Sequence, residues 1–253
     1  MSEPFTAGVF IIDKPAGLTS FKIVARVRWL LGIKKVGHAG TLDPFATGLL
    51  IVCAGRPATR LISRFMDGQK EYLATLCLGV ETTTQDTEGE VVSRKVVGAL
   101  SASRIEACLA GFRGEISQVP PSYSACKHKG KPLYYYARKG VEIVKDPRVV
   151  MIHELERIDG SLGLYGDEVS IRIRVVCSKG TYIRTLGADI GRELGCGGYL
   201  TQLRRVRSGC FGIEKGVTGE ELFGENGYEK LMNSAISVET VLDMLQDSSG
   251  MNN

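Results

Sequence analysis

One aspartate stands in a glycine-rich stretch of the sequence, Gly37 to Leu50, which reads GHAGTLDPFATGLL. Asp43 is followed by Pro44, which biases the aspartate away from helical geometry and keeps its backbone extended. Gly40 and Gly48 on either side leave room for another chain or a ligand to approach closely. The pattern therefore predicts a rigid, exposed carboxylate. The other interpretation is that an aspartate before proline simply organises a turn.

The sequence disfavours two other kinds of chemistry. Neither phosphate-binding pattern, G-x-x-x-x-G-K-S/T or G-x-G-x-x-G, occurs, so nucleotide hydrolysis is not expected. The seven cysteines are scattered without a C-x-x-C pair, and the three histidines are far apart. We therefore expect reduced thiols, most of them small core residues, and neither a metal nor any other cofactor.

The helices and strands around the aspartate can be predicted from apolar runs and from the residues that typically begin or end a helix. Gly8 to Ile12 is apolar and predicts a strand, and a helix is expected to follow, with Ser20 as its cap and Gly32 at its end. Gly37 to Gly48 is then expected to be a loop, and Leu49 to Cys53 a buried strand. Core elements would thus hold the loop at both ends.

The rest of the chain mixes strands and helices. Strict alternation predicts strands at Lys70 to Leu78 and Val169 to Val175, and Ser103 with Glu106 predicts a capping box. A helix with an apolar stripe follows from Ile183 to Leu194. No regular strand-helix-strand rhythm appears, so we expect an α+β fold with a mixed, largely antiparallel sheet and flanking helices.

Charge is distributed unevenly along the chain. The formal net charge is +4, but residues 127–148 contain seven basic and two acidic residues, so this segment is +5 and the remainder −1. Three tyrosines, Tyr134 to Tyr136, lie within it. A charge run is usually just a solvated surface, but the aromatic residues also fit an insertion that lies over a site.

Length and composition point to a globular protein. At 253 residues with 43% apolar content, the chain can form one large domain, or one domain with a small appendage. The sequence has neither a long apolar run nor the pattern of a secretory signal, so we expect a cytoplasmic location and no membrane association.

The loop around Asp43 closely resembles the catalytic signature of the TruB family of pseudouridine synthases. Other segments resemble further family motifs in family order, from about Gly8 to Arg207. These are Asp13-Lys14-Pro15-Ala16-Gly17-Leu18-Thr19-Ser20, Lys70-Glu71-Tyr72, Gln118-Val119-Pro120-Pro121-Ser122-Tyr123-Ser124-Ala125, Gly180-Thr181-Tyr182-Ile183-Arg184-Thr185 and Leu203-Arg204-Arg205.

The resemblance implies that the protein isomerises uridine to pseudouridine, a reaction that needs no metal or redox cofactor. It makes Asp43 the nucleophile, which attacks either C1′ of the ribose or C6 of the ring, and the sequence does not distinguish the two. It makes Arg184 the cation that pairs with this carboxylate and keeps it charged. It places Tyr72 in a stack on the target uracil.

The resemblance also implies an RNA-binding surface. His38 matches the residue that contacts displaced nucleotides, Tyr182 and Leu203 match positions lining the base pocket, and Asp86 matches a carboxylate of a polar network. The expected phosphate contacts are Lys127, Lys129, Lys131, Arg138, Lys139, Arg204, Arg205 and Arg207. The implied substrate is the T arm of tRNA at uridine 55, recognised largely by loop shape.

Domain organisation and partners follow from the same resemblance. We expect a catalytic domain over residues 1–210, a basic thumb insertion over 118–150, and a short extension over 211–253 without a full PUA-type RNA-binding domain. We expect a monomer with no obligatory protein partner. Two alternatives remain: a guide-RNA-dependent synthase, which shares the catalytic loop, and an RNA-binding or tRNA-folding protein whose modification activity is incidental.

Overall fold

The structure is a computed structural model and describes residues 5–159, 163–166 and 169–250. In chain order, its first elements are β1 (Gly8–Lys14), α1 (Ser20–Leu31), β2 (Val36–Ala39), β3 (Thr47–Ala54), α2 (Arg56–Thr59), α3 (Ile62–Met66), β4 (Lys70–Leu78), β5 (Val80–Thr82), β6 (Val91–Arg94), β7 (Val97–Ser101), α4 (Ala102–Gly111) and β8 (Gly114–Gln118). They are followed by β9 (Lys127–His128), β10 (Lys131–Pro132), α5 (Leu133–Ala137), β11 (Arg148–Arg157), β12 (Gly163–Gly166), β13 (Val169–Cys177), α6 (Ile183–Glu193), β14 (Gly198–Ser208), β15 (Phe211–Gly212), β16 (Val217–Thr218), α7 (Gly219–Phe223), α8 (Gly227–Asn233) and α9 (Val238–Gly250).

The chain divides into two compact units. The first comprises the chain up to Glu71 together with everything from Arg204 onward, and the second comprises Tyr72–Leu203. Strands β4 and β14 each contribute residues to both units. The two units are described separately below.

The first unit is built on strands in the order β16-β1-β3-β14, with β2 also paired to β3. Strands β1 and β3 are antiparallel from Gly8 opposite Ala54 to Lys14 opposite Gly48, whereas β14 runs parallel to β3. Apolar side chains of these strands pack with Phe65 and Phe211 in a buried cluster. This core fixes both ends of the segment that connects β2 to β3.

The second unit contains the strand order β14-β4-β13-β11-β8, and β11 is antiparallel to both of its neighbours. The alternation along β4 is visible in burial, since Tyr72, Ala74 and Leu76 are buried and the residues between them are half-buried. All six residues from Ile183 to Ala188 in α6 are buried. The predicted α+β class, with a mixed, largely antiparallel sheet and flanking helices, is confirmed.

Two predicted helix caps are wrong. Helix α1 is capped by Thr19, whose side chain accepts a hydrogen bond from the Lys22 N–H at 3.2 Å, and Ser20 is already its first helical residue. Helix α4 is capped by Ser101 rather than by Ser103. In both cases the cap is another hydroxyl residue one or two positions earlier, because only the residue with extended backbone can cap. The predicted end of α1 is confirmed, since Gly32 has a left-handed φ of 65°.

Two other boundaries differ from the predictions. The first residues of the expected loop, Gly37 to Ala39, belong to strand β2, which pairs with β3, and its last two, Thr47 and Gly48, belong to β3 itself. At the carboxyl end, α9 continues to Gly250, and residues 251–253 lie outside the described residues. Within the described ranges, no helix is long and apolar enough to cross a membrane.

Candidate active site

Ser20 holds the centre of the loop that carries Asp43, residues 40–46. The Ser20 hydroxyl accepts a hydrogen bond from the Leu42 N–H at 2.9 Å and donates one to the Leu42 carbonyl at 3.1 Å. Both residues are buried, whereas Asp43 is half-buried. The loop also closes on itself, since the Ala46 N–H donates to the Asp43 carbonyl at 3.1 Å. The peptide just before Asp43 is therefore fixed to the start of α1.

Lys14 holds the other side of the loop. Its side chain is fully buried, and its ammonium group donates hydrogen bonds to the carbonyls of Pro15, Leu18 and Pro44 at 2.8, 2.7 and 3.2 Å. The Pro44 carbonyl also accepts the Gly17 N–H at 2.8 Å. A buried ammonium group needs such acceptors because its hydration is lost. The peptide that follows Pro44 is thus tied to the turn that follows β1.

Arg205 supports both ends of the loop from strand β14. It is only 2% exposed, and its guanidinium donates to the carbonyls of Leu49 at 2.8 Å and Gly40 at 2.9 Å. Gly48 has a φ of 101°, and a Cβ there would lie 2.2 Å from the Arg205 carbonyl oxygen, so only glycine fits. Arg205 was predicted to contact phosphate. Its burial and its bonds to loop carbonyls instead make it a residue that positions the loop.

Ser20 and Thr19 offer a matched pair of substitutions. We expect Ser20→Ala to lower the free energy of unfolding by about 1–3 kcal/mol, because both Leu42 backbone groups lose a buried partner. We also expect it to slow turnover in the uridine isomerisation that the sequence predicts. Thr19→Ala removes only an exposed helix cap and should cost about 1 kcal/mol without affecting turnover. Urea unfolding and single-turnover assays of both variants test this. Equal turnover by the two would contradict the role given to Ser20.

In the second unit, Arg184 and Asp86 form a buried ion pair. Arg184 is 3% exposed and Asp86 2% exposed, and the Arg184 Nη1 lies 3.3 Å from the Asp86 Oδ2. Arg184 also donates to the carbonyls of Thr84 at 2.9 Å and Tyr123 at 2.7 Å. Asp86 accepts hydrogen bonds from the Thr84 hydroxyl and the Glu88 N–H. These contacts hold the guanidinium in one orientation.

The residues predicted to stack on the uracil or to line its pocket lie on two strands of this unit and just before one of its helices. Tyr72 on β4 is 9% exposed, and Leu203 on β14 is 6% exposed. Tyr182 immediately precedes α6, and burial raises the pKa of its phenol. The Gln118 side chain bonds to both the N–H and the carbonyl of Tyr182. The backbone at Tyr182 is therefore held from outside its own helix.

His38 lies on β2 in the first unit and is half-buried. Burial lowers the pKa of its imidazole, and the positive charge of Arg205 lowers this pKa further. The ring is therefore neutral at neutral pH. Within the described part of the chain, its Nδ1 is buried and has no hydrogen-bond partner.

The basic insertion forms a small hairpin followed by a short helix. Strands β9 and β10 make the hairpin, and Lys127, Lys129 and Lys131 are all exposed on it. The Tyr135 ring lies 4.5 Å from the ammonium of Lys131. These ammonium groups are therefore accessible to an anionic ligand.

Two arginines of β14 that are predicted to contact phosphate also pair with carboxylates. Arg204 makes two hydrogen bonds to Asp13, at 2.9 and 2.6 Å, and its side chain is 39% exposed. Arg207 pairs with Glu71 at 3.0 Å. Each pair lies within the first unit, and both arginine side chains stay partly exposed.

Two family models together match most of the chain. Residues 28–183 match the N-terminal domain of the TruB family of pseudouridylate synthases, and residues 184–245 match the C-terminal domain of tRNA pseudouridylate synthase B. The chain belongs to the TruB family. It is 63% identical to tRNA pseudouridine synthase B of Desulfotalea psychrophila over 96% of this chain and 99% of that protein. It is 53% identical to tRNA pseudouridine synthase B of Chromobacterium violaceum over 82% of this chain and 65% of that protein.

Solved structures show the same fold. One chain of a Cbf5-Nop10-Gar1 complex is 28% identical with a TM-score of 0.68, and the match covers 94% of this family member and 62% of that chain. A second match, with a TM-score of 0.65 and 26% identity, comes from an H/ACA RNP bound to a substrate RNA containing 2′-deoxyuridine. It covers 94% of this chain and 61% of that one.

Sequence reasoning missed three residues that position the TruB loop and helix. The sequence patterns mark Lys14 and Gln118 only as members of motifs, and Ser20 only as a helix cap. One signal could have identified Lys14: it comes at the end of an apolar strand and is followed by a turn that contains a proline and a glycine. Nothing local in the sequence distinguishes Gln118. Within the described residues, no cluster of histidine, cysteine and acidic side chains is arranged to hold a metal.

Proposed function

We propose that this protein isomerises uridine 55 in the T loop of tRNA to pseudouridine, with Asp43 as the nucleophile. The observation that carries the proposal is the loop around Asp43, which Ser20, Lys14 and Arg205 anchor independently. Family membership supports the reaction class, and the names of the two bacterial relatives support tRNA as the substrate. The catalytic domain is assigned to residues 1–210, with a thumb over 118–150.

The reaction breaks the bond from ribose C1′ to N1 of uracil, turns the base, and forms a bond from C1′ to C5. Asp43 attacks either C1′, where it displaces N1 of the uracil, or C6 of the ring; in the first route formation of the C1′–C5 bond releases the carboxylate from C1′, and in the second the carboxylate leaves C6 after that bond has formed. The base loses its proton from C5 and takes one up at N1, so the product is an isomer of the substrate. The carboxylate must be ionised in a pocket that excludes water, where burial favours the neutral acid. We assign to Arg184 the role of holding the pKa of this carboxyl down.

The base pocket is assigned to Tyr72, Tyr182 and Leu203. Stacking on a tyrosine ring accepts a uracil in more than one orientation, which suits a base that turns during the reaction. The target nucleotide must first leave the stacked loop, at a cost of a few kcal/mol. His38 is proposed to contact the displaced nucleotides, and its neutral ring suits packing against bases rather than binding phosphate.

The exposed hairpin lysines are proposed as the main phosphate contacts. We expect replacement of Lys127, Lys129 and Lys131 by alanine to make the dependence of log K on log salt concentration shallower by roughly 2–3, since each lost phosphate contact removes about 0.7–0.9. Titrations of labelled tRNA at several salt concentrations measure this slope. A control with Lys95, Lys215 and Lys230 replaced has the same net charge, and an equal change of its slope would contradict the assignment.

A guide-RNA-dependent synthase is the second candidate, because the similar solved structures come from complexes named Cbf5-Nop10-Gar1 and H/ACA RNP. The basic insertion favours a protein that finds its own tRNA, acting as a monomer without an obligatory partner. Incubation of the purified protein with an unmodified tRNA transcript, followed by mapping of pseudouridine at each position, separates the two. Pseudouridine at position 55 alone is expected. If the purified protein and the tRNA transcript alone gave no pseudouridine, the stand-alone proposal would be overturned.

A further inference from the structure

Gln118, at the end of β8 where the insertion begins, makes an unusual pair of hydrogen bonds. Its side chain is a polar carboxamide, yet the residue is only 2% exposed. The Oε1 accepts the Tyr182 N–H at 2.7 Å, and the Nε2 donates to the Tyr182 carbonyl at 3.1 Å. The carboxamide therefore satisfies both peptide groups of one residue, as a neighbouring strand would, and fixes the backbone on both sides of the Tyr182 Cα.

The position of Tyr182 gives these bonds their importance. Tyr182 is the residue before α6, and its own side chain makes no capping bond to the helix. Arg184 lies two residues further on, in the first turn. Because a helical side chain leaves the helix in a direction set by its backbone, the peptide at Tyr182 controls where the Arg184 guanidinium points.

A second connection runs from the insertion to the same arginine. The Tyr123 carbonyl accepts a hydrogen bond from the Arg184 Nη2 at 2.7 Å. One residue later, the Ser124 carbonyl accepts the Tyr134 N–H at 3.1 Å, which ties the segment to α5. Residues 118–124 thus link the basic part of the insertion to Arg184 by direct hydrogen bonds.

We infer that Gln118 is a positioning residue, which holds Tyr182 and the first turn of α6 so that Arg184 keeps its contacts with Asp86 and Tyr123. Gln118 then determines the rate of the chemical step and contributes little to RNA affinity. The inference rests on the proposed function, in which Arg184 keeps the nucleophile ionised.

Gln118→Met removes both hydrogen bonds with little change in side-chain length. We expect the single-turnover rate at saturating tRNA to fall by about tenfold to a hundredfold, since small misplacements of a catalytic group have effects of this size. The Kd for tRNA should change by less than about threefold, because no RNA contact is removed. A loss that arose only from a destabilised fold would lower the active fraction measured by burst amplitude and leave the rate of the remaining enzyme unchanged.

Gln118→Glu tests the hydrogen bonds themselves. A protonated carboxyl has one donor and one acceptor and can replace the amide, whereas an ionised carboxylate has acceptors only and faces the Tyr182 carbonyl. Burial raises the pKa of the introduced carboxyl. The ratio of the variant rate to the wild-type rate should therefore be near one at low pH and fall as pH rises through that pKa. This measurement remains informative if Gln118→Met does not fold.

Gln246→Met, an exposed glutamine near the end of α9, is the matched control and should behave as the wild type. Three results would overturn the inference: a wild-type rate for Gln118→Met, a loss confined to Kd, or a Gln118→Glu ratio that does not change with pH. The proposed function fails differently, because in that case the wild-type protein itself makes no pseudouridine.

Discussion

Asp43→Asn is expected to bind tRNA but to form no detectable pseudouridine. The amide has the shape of the carboxylate, so the loop anchored by Ser20, Lys14 and Arg205 should be preserved. It cannot act as a nucleophile toward C1′ or C6. Loss of a nucleophile that works within a catalytic set reduces turnover by on the order of 10⁴-fold or more. Single-turnover release of the C5 proton as tritium and a Kd titration measure the two properties separately.

Asp243→Asn on the exposed face of α9 is the matched control, because it makes the same chemical change outside the loop. Intact-mass analysis shows whether the introduced amide has hydrolysed back to a carboxylate during the assay. Turnover above the level explained by such reversion would remove Asp43 from the nucleophile role. The alternative of an RNA-binding or tRNA-folding protein would instead be favoured if the wild-type protein bound tRNA but formed little pseudouridine.

Arg184→Met should have the second largest effect, in stability and turnover together. The substitution leaves the Asp86 carboxylate buried without its cation, and breaking a buried pair in this way costs about 3–5 kcal/mol. We expect turnover to fall on the order of 10²-fold or more, as for other losses of a preorganised charge. Urea unfolding and single-turnover rates measure the two effects.

A double variant separates them. Asp86→Asn removes the buried negative charge that has lost its cation, but keeps the oxygen that accepts hydrogen bonds from Thr84 and Glu88. Arg184→Met combined with Asp86→Asn should therefore recover most of the lost stability. Turnover should stay low, because the cation that keeps the nucleophile ionised is still missing. The residual rate should increase with pH, since a carboxyl whose pKa has risen becomes ionised at higher pH. Recovery of turnover along with stability would show that Arg184 is purely structural.

The strands of the protein could be predicted from the sequence because their signal is local. Alternation from Lys70 to Leu78 predicts the bounds of β4, and the strand at Val169 ends only two residues beyond the predicted Val175. Helix caps could not be predicted as well, because neighbouring hydroxyl residues compete. Thr19 and Ser20 are both capable caps, but Thr19 caps the helix while the Ser20 hydroxyl bonds to the backbone of Leu42, which lies 22 residues away in sequence.

The supporting residues of the candidate site show the same limit. From its place in the sequence, Arg205 is expected to be an exposed cation. It is instead buried, and its guanidinium bonds to the carbonyls of Gly40 and Leu49, which lie more than 150 residues earlier in the sequence. Gln118 likewise acts on Tyr182, 64 residues further on. Residue type and spacing identify groups that can do chemistry, whereas the residues that hold them in place are identified by contacts between distant segments.

The three anchors of the Asp43 loop also determine when its conformational freedom is lost. Ser20, Lys14 and Arg205 all belong to the first unit, so residues 40–46 become ordered when that unit folds and not when RNA arrives. The entropy of ordering these residues, about 1–2 kcal/mol each, therefore does not weaken the affinity for RNA. More of the binding energy is then left for drawing a nucleotide out of its stack.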